Sequence, residues 1–238
     1  AGLVSVACEK AAVAEHAAHL TAIMIRRVDG AGALAALLED RRFNALCLGP
    51  GLGVDRAREL VPLGLAAPHR PAVVLDADAL TAYAGDPQAL FAMLGEGCVL
   101  TPHAGEFARL FPDIAGTLNA TPTRGPAYSK LDATREAAKR AGCVVLFKGP
   151  DTVIAAPDGR CSVNPANHDR AAPWLATAGS GDVLAGFITG LLARGFDPMR
   201  AAETAAWLHV ECARSFGPGL IAEDIPEELP GVFRALGL

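Results

Sequence analysis

The sequence predicts a three-layer α/β fold, with a mostly parallel central sheet, helices on both of its faces and an antiparallel hairpin at one edge. Three observations carry this expectation. Short apolar runs rich in Val, Leu and Cys recur along the chain, and alanine-rich stretches of helical period separate them. One pair of runs is instead joined by the tight turn Pro157-Asp158-Gly159. The 238 residues, 51% of them hydrophobic, suffice for one core and a roomy cleft, so residues 1–238 are read as a single domain.

Taken in order, strands are expected over Leu3–Cys8, Asn44–Gly49, Ala72–Asp76, Cys98–Thr101 and Cys143–Lys148. Their apolar residues run continuously, as in strands covered on both faces. The opening run Gly2–Cys8 reads as buried and begins abruptly, as though an earlier strand and helix were absent. Helices are expected over Glu9–Leu20, Gly32–Glu39, Asp55–Leu63, Pro87–Leu94, Gly105–Leu110, Ser129–Arg140, Ser180–Arg194 and Pro198–Phe216. Gly116 to Tyr128, with Thr, Pro, Gly and Asn and little periodicity, reads as a surface excursion. Thr152–Ala156 and Arg160–Val163 form the hairpin.

Composition excludes several classes. With a net charge of −5 and scattered Lys and Arg, nothing supplies the clustered positive field that a nucleic acid requires. Apolar runs such as Val183–Ala193 are far shorter than the roughly 20 residues that span a bilayer. The six cysteines lie far apart without zinc spacing, so most read as small buried hydrophobes in a reducing cytoplasm. No basic stretch and cleavage pattern marks a secretory leader.

The chemistry is concentrated where apolar runs end. Ala178-Gly179-Ser180-Gly181-Asp182 is a glycine-rich turn entering a long apolar helix, and a helix start offers unpaired N–H groups and a positive dipole end to phosphate oxygens. Asp182, in the first helical turn, either takes the proton of a hydroxyl attacking that phosphate or merely answers the helix dipole. Lys148-Gly149-Pro150-Asp151-Thr152 closes a strand at the carboxyl edge of the sheet, where such folds bind ligands. Lys148 there meets a nucleotide phosphate or simply solvent. Gly49-Pro50-Gly51-Leu52-Gly53 is a close approach to a substrate or a bare tight turn, and it lacks the dinucleotide-binding glycine pattern. Asp76 can hold substrate or a water network, while Asp78 reads as a helix cap. His103 reads as a binding residue, and Glu106 either orients a magnesium-bound water or sits in a first turn.

In this order, Gly49-Pro50-Gly51-Leu52-Gly53, Leu75-Asp76-Ala77-Asp78-Ala79-Leu80, Thr101-Pro102-His103-Ala104-Gly105-Glu106, Lys148-Gly149-Pro150-Asp151-Thr152 and the run from Asn164-Pro165 to Gly186 resemble the ribokinase-like NAD(P)H-hydrate dehydratases over nearly the whole chain. The resemblance implies a ribokinase-like fold and repair of NADH or NADPH whose nicotinamide ring has been hydrated. The added hydroxyl is phosphorylated and phosphate then leaves, so ADP (ATP in eukaryotic members) is consumed with Mg2+. Carried over, Asp182 is the base, Gly53, His103, Asp182 and Asp76 contact the hydrate, and Lys148, Gly149, Pro150, Asp151 and Thr152 with Gly179, Ser180 and Gly181 hold the adenine nucleotide. The resemblance also implies a homo-oligomer, commonly a tetramer or octamer, for which Trp174 and the apolar face near Trp207 offer contacts, and fusion to or pairing with an NAD(P)H-hydrate epimerase. Members begin with a strand, a glycine-containing loop and a helix that this chain lacks. Small-alcohol kinases for thiazole or hydroxymethylpyrimidine share the glycine-rich turn, and a nucleotide-binding module without turnover is a third possibility.

Overall fold

The computed structural model describes residues 2–123 and 125–238. The first part of the chain runs β1 (Ser5–Cys8), α1 (Val13–His19), β2 (Met24–Arg27), α2 (Ala31–Leu37), β3 (Ala45–Leu48), α3 (Val54–Leu65) and β4 (Ala72–Leu75). It continues through α4 (Asp78–Thr81), α5 (Pro87–Phe91), β5 (Cys98–Leu100), α6 (Ala104–Leu110), α7 (Pro112–Asn119) and α8 (Lys130–Ala141). It closes with β6 (Val144–Phe147), β7 (Asp151–Ala155), β8 (Cys161–Pro165), α9 (Ser180–Leu192), α10 (Pro198–Phe216) and α11 (Asp224–Ala235).

Six strands form the central sheet in the order β3-β4-β5-β6-β7-β8. The first four are parallel, and β7 and β8 add antiparallel at one end. Alternation along each strand divides the core in two. Val73, Leu75, Leu100, Val145 and Phe147 face the layer containing α3 and α6 to α8, where Phe107 stacks on Phe147 at 4.1 Å between ring centres. Val74, Val99, Val144 and Leu146 face α9 and α10. Residues buried on both sides are what a continuous apolar run demands, so the three-layer expectation holds, as does the hairpin, whose Gly159 N–H donates to the Ala156 carbonyl.

The opening segment departs from expectation. β1 does not join the central sheet but pairs in parallel with β2 as a separate two-stranded unit, and of its residues only Cys8 is buried. β2 was hidden in the sequence because Met24-Ile25-Arg26-Arg27 carries two charges and stays largely exposed. α7 occupies the start of the stretch read as a loop; Pro112, at a first-turn position that needs no N–H, begins it rather than breaking it. α4 and α11 are also additions, α11 despite an internal Pro230, because Ile225, Leu229 and Val232 pack on α10. Asp78 is not a helix cap. Ala77 holds the cap position of α4, at φ 47°, and Asp78 is the first helical residue. The cysteines are free thiols: Cys8, Cys98, Cys143 and Cys212 are buried, but Cys47 on the edge strand β3 is exposed.

Candidate active site

Because β3 to β6 are parallel neighbours, their carboxyl ends lie in a row, and four of the motifs above follow those ends, while the glycine-rich turn Ala178–Asp182 comes after β8 and opens α9. Gly49, after β3, sits against the turn after β4. A Cβ there would fall 1.7 Å from the Asp76 carbonyl oxygen, and its φ of 133° suits glycine alone. The Gly53 N–H donates to the Asp78 carboxylate at 2.8 Å, so Asp78 ties the two turns together. Open space lies where a Gly53 side chain would stand.

Asp76 is buried, 1% exposed, at the centre of the row. The Lys148 ammonium donates to its Oδ1 at 2.7 Å, while Oδ2 is buried without a partner. A buried carboxylate oxygen left unpaired is costly, so a polar ligand group or a cation is the natural complement of Oδ2. Lys148 also lies 3.9 Å from Glu106. Glu106 is buried, and loss of hydration raises its carboxyl pKa, against the opposing influence of the His103 N–H and the Lys148 charge. Its Oε2 accepts the His103 N–H at 2.8 Å, and His103 Nδ1 accepts the N–H groups of Gly105 and Glu106. This reciprocal box caps α6. Nδ1 therefore carries no proton in the neutral ring, and the exposed imidazole has its N–H at Nε2.

The start of α9 closes the cleft. Gly179, at φ 84°, occupies the cap position without any side-chain cap, and since the Ser180 N–H donates to the Thr177 carbonyl at 3.4 Å, the Gly181 and Asp182 amides of this 13-residue helix are the ones open to an anion. A Cβ on Gly181 would lie 3.2 Å from the Lys148 ammonium and 4.0 Å from Asp76 Oδ2. Helix start, lysine and buried carboxylate thus converge within the reach of one phosphate group. Asp182 is exposed to the cleft; its carboxyl pKa is raised by loss of hydration and by the Asp76 charge, with Lys148 opposing. A carboxyl pKa moved upward suits a proton acceptor.

Two expected nucleotide contacts are used internally. The Ser180 hydroxyl donates to the Leu175 carbonyl at 2.7 Å and the Thr152 hydroxyl to the Gly149 carbonyl at 3.0 Å, so each shapes its own turn. Pro150 and Asp151 are exposed beside Lys148.

Sequence reasoning missed His209 and Lys130. His209, buried on α10, donates from Nε2 to the Ser180 carbonyl at 2.8 Å, which fixes its tautomer; burial lowers its pKa to about 4. Lys130 reaches under the turn after β6 and donates to the Asp151 carbonyl at 2.6 Å. Neither belongs to a motif, and only the fold brings them in. Trp174 and Trp207 are half-buried, Trp174 donating to the Ala213 carbonyl at 2.7 Å. Among the described residues no cluster of three or more His, Cys, Asp or Glu side chains is placed to hold a metal, and no helix is long and apolar enough to cross a membrane.

Comparison with known proteins agrees with this geometry. The structure superposes on a ribokinase-like superfamily protein from Enterococcus faecalis with a TM-score of 0.76 at 22% identity, over 99% of this chain and 78% of that one. The ADP/ATP-dependent NAD(P)H-hydrate dehydratase of Bacillus subtilis, crystallised with ATP and Mg2+, gives a TM-score of 0.74 at 25% identity, over 98% of this chain and 81% of that one. In sequence, the bifunctional NAD(P)H-hydrate repair enzyme of Gloeobacter violaceus is 42% identical over 180 residues, 75% of this chain. The chain spans about a third, 32%, of that relative's length. A sequence model of the NAD(P)H-hydrate dehydratases matches residues 1–225. With a ribokinase-like fold, every motif at one sheet edge and a match over nearly its whole length, the chain belongs to the NAD(P)H-hydrate dehydratase family.

Proposed function

We propose that this chain dehydrates hydrated NADH or NADPH at the expense of ADP, giving NAD(P)H, AMP and phosphate. The observation that carries the reading is the convergence of the uncapped start of α9, the Lys148 ammonium and the unpaired Oδ2 of Asp76. An anion site with a carboxylate beside it suits transfer of a phosphoryl group to a hydroxyl.

In the proposed sequence Asp182 takes the proton of the ring hydroxyl as its oxygen attacks the terminal phosphoryl of ADP, and the bond to the leaving AMP breaks. Amides at the start of α9 and Lys148 stabilise charge on the transferring oxygens. The ring-carbon-to-oxygen bond of the phosphorylated hydrate then breaks, phosphate departs, and loss of a ring proton restores the dihydropyridine. Gly53, with no side chain in the open space beside it, admits the hydrate, and exposed His103 contacts it through Nε2–H or its ring face. Lys148 to Thr152, with Gly179, Ser180 and Gly181, form the nucleotide wall, where Ser180 and Thr152 act by shaping the turns.

Mg2+ fits as a cation arriving with the nucleotide, because a hard cation needs few protein oxygens when phosphates supply the rest. Asp76 Oδ2, and Glu106 through water, would hold it, and it would neutralise charge on the phosphates. The reading includes a homo-oligomeric, cytoplasmic enzyme, a tetramer as our specific expectation. The bifunctional name of the Gloeobacter relative supports a second repair activity alongside, which we take to be the epimerase.

The test is to incubate the protein with hydrated NADH, ADP and Mg2+. Return of reduced-nicotinamide absorbance with equimolar AMP and phosphate is expected. Absence of recovery overturns the reading, and a stable phosphorylated product assigns the site to a small-alcohol kinase instead.

A further inference from the structure

We infer that Lys130 is a positioning residue that sets the shape of the nucleotide-binding turn Lys148–Asp151 and thereby fixes adenine-nucleotide affinity. This rests on the reading of that turn as a nucleotide site.

Lys130 is the first residue of α8, behind the capping pair Ser129 and Asp132. A cation there faces the positive end of the helix dipole, a placement that costs rather than stabilises. What occupies it is the turn after β6. Its ammonium donates to the Asp151 carbonyl at 2.6 Å and the Lys148 carbonyl at 3.3 Å, and lies 3.4 Å from the Asp151 carboxylate. It also sits 4.5 Å from the centre of the Phe147 ring. The side chain is only 17% exposed, and loss of hydration lowers its pKa, opposed by Asp151.

An ammonium has three N–H donors, and three protein oxygens surround this one. Lys130 therefore has none to spare for a phosphate and acts through the turn. The other two carbonyls of the turn are held as well, Gly149 by the Thr152 hydroxyl at 3.0 Å and Pro150 by the Ala166 N–H at 2.7 Å. All four carbonyls from Lys148 to Asp151 thus have a donor of the protein aimed at them.

The consequence follows from peptide geometry. The peptide between Lys148 and Gly149 is trans, so its N–H points opposite to its carbonyl. Holding the Lys148 carbonyl toward Lys130 turns the Gly149 N–H to the other side, as an anion-facing donor. The fit explains why position 149 is glycine. A Cβ there would lie 2.6 Å from the Lys130 ammonium.

The experiment compares ADP binding by calorimetry and steady-state kinetics for the parent, Lys130→Met and Lys130→Arg. Met keeps the aliphatic contact with Phe147 and removes the donors; Arg restores donors. Loss of charge-assisted bonds to two carbonyls should raise the dissociation constant and KM for ADP about tenfold or more. kcat at saturating ADP should stay within about threefold, and Arg should recover much of the affinity. A role in stability alone would lower the melting temperature of Lys130→Met without moving its ADP affinity. That outcome, or a loss of kcat at unchanged KM, overturns the inference. Should Lys130→Met not fold, Lys130→Gln, which keeps one donor, is judged by the same criterion. A parent that binds no ADP overturns the nucleotide reading and this inference with it.

Discussion

In the proposed reaction Asp182 and Asp76 take different roles because their surroundings differ. Asp182 has its carboxyl pKa raised from the ordinary value by loss of hydration and by the Asp76 charge. As a base it acts deprotonated, so kcat/KM should rise with pH through that raised value and be lost as pH falls below it. Asp182→Asn should lower turnover about a hundredfold to ten-thousandfold while leaving ADP affinity near that of the parent; parent-like rates would remove Asp182 from the mechanism. Asp76→Asn keeps the shape but deletes one of the charges that raise Asp182. The acid limb of kcat/KM should then move to lower pH, and a limb that stays put would show that Asp76 is not felt by the base. Lys148→Ala should weaken ADP binding about tenfold or more, and it also leaves buried Asp76 without its ion-pair partner.

At the scale of elements, the layer beneath the turns is an aromatic stack. Phe107 lies flat on Phe147 and tilts against Phe111, which in turn stacks on Phe91. Phe107 is fully buried, so Phe107→Ala should cost about 3–5 kcal/mol in urea denaturation; a loss below about 1 kcal/mol would mean that the layer repacks freely. These elements were legible because their residues repeat with the period of their structure: continuous in β4 to β6, amphipathic in α8 and α10, and broken by a D-G turn at the hairpin. The candidate site was legible for the same reason, since a polar residue directly after a buried run can lie only at the sheet edge. What stayed hidden had its local signal masked or had none. β2 is four residues with two arginines, α11 repeats apolar residues at Ile225, Leu229 and Val232 but carries Pro230 inside it, and the assignment of β1 to a separate pair depends on which strands meet. Lys130 and His209 join the site from 18 and 29 residues away from the groups they hold, a distance across which sequence spacing carries no signal.

The molecule as a whole responds to pH through His209. Burial lowers its pKa from 6.5 to about 4 in the folded protein. The unfolded chain therefore takes up a proton there that the folded protein refuses. The stability that the neutral ring contributes is fully present above pH 6.5 and is lost as pH falls from 6.5 toward about 4. By linkage this amounts to roughly 3 kcal/mol. Chemical denaturation at several pH values should show that decline, and His209→Gln, which keeps a donor for the Ser180 carbonyl but does not titrate, should flatten it; an equal slope in both would assign the decline to other groups.

Behind the glycine-rich turn that opens α9 stands the segment leading into α11. Ala222 presses so close to Gly179 that a Cβ on the glycine would meet it at 3.0 Å, and α11 is anchored to α10, the same helix that sends His209 to Ser180. This segment thus works as a backstop, and the exposed bend at Pro218 and Gly219 is the point where a protease could remove it. A cut there should loosen the support behind Gly179 while the sheet stays intact.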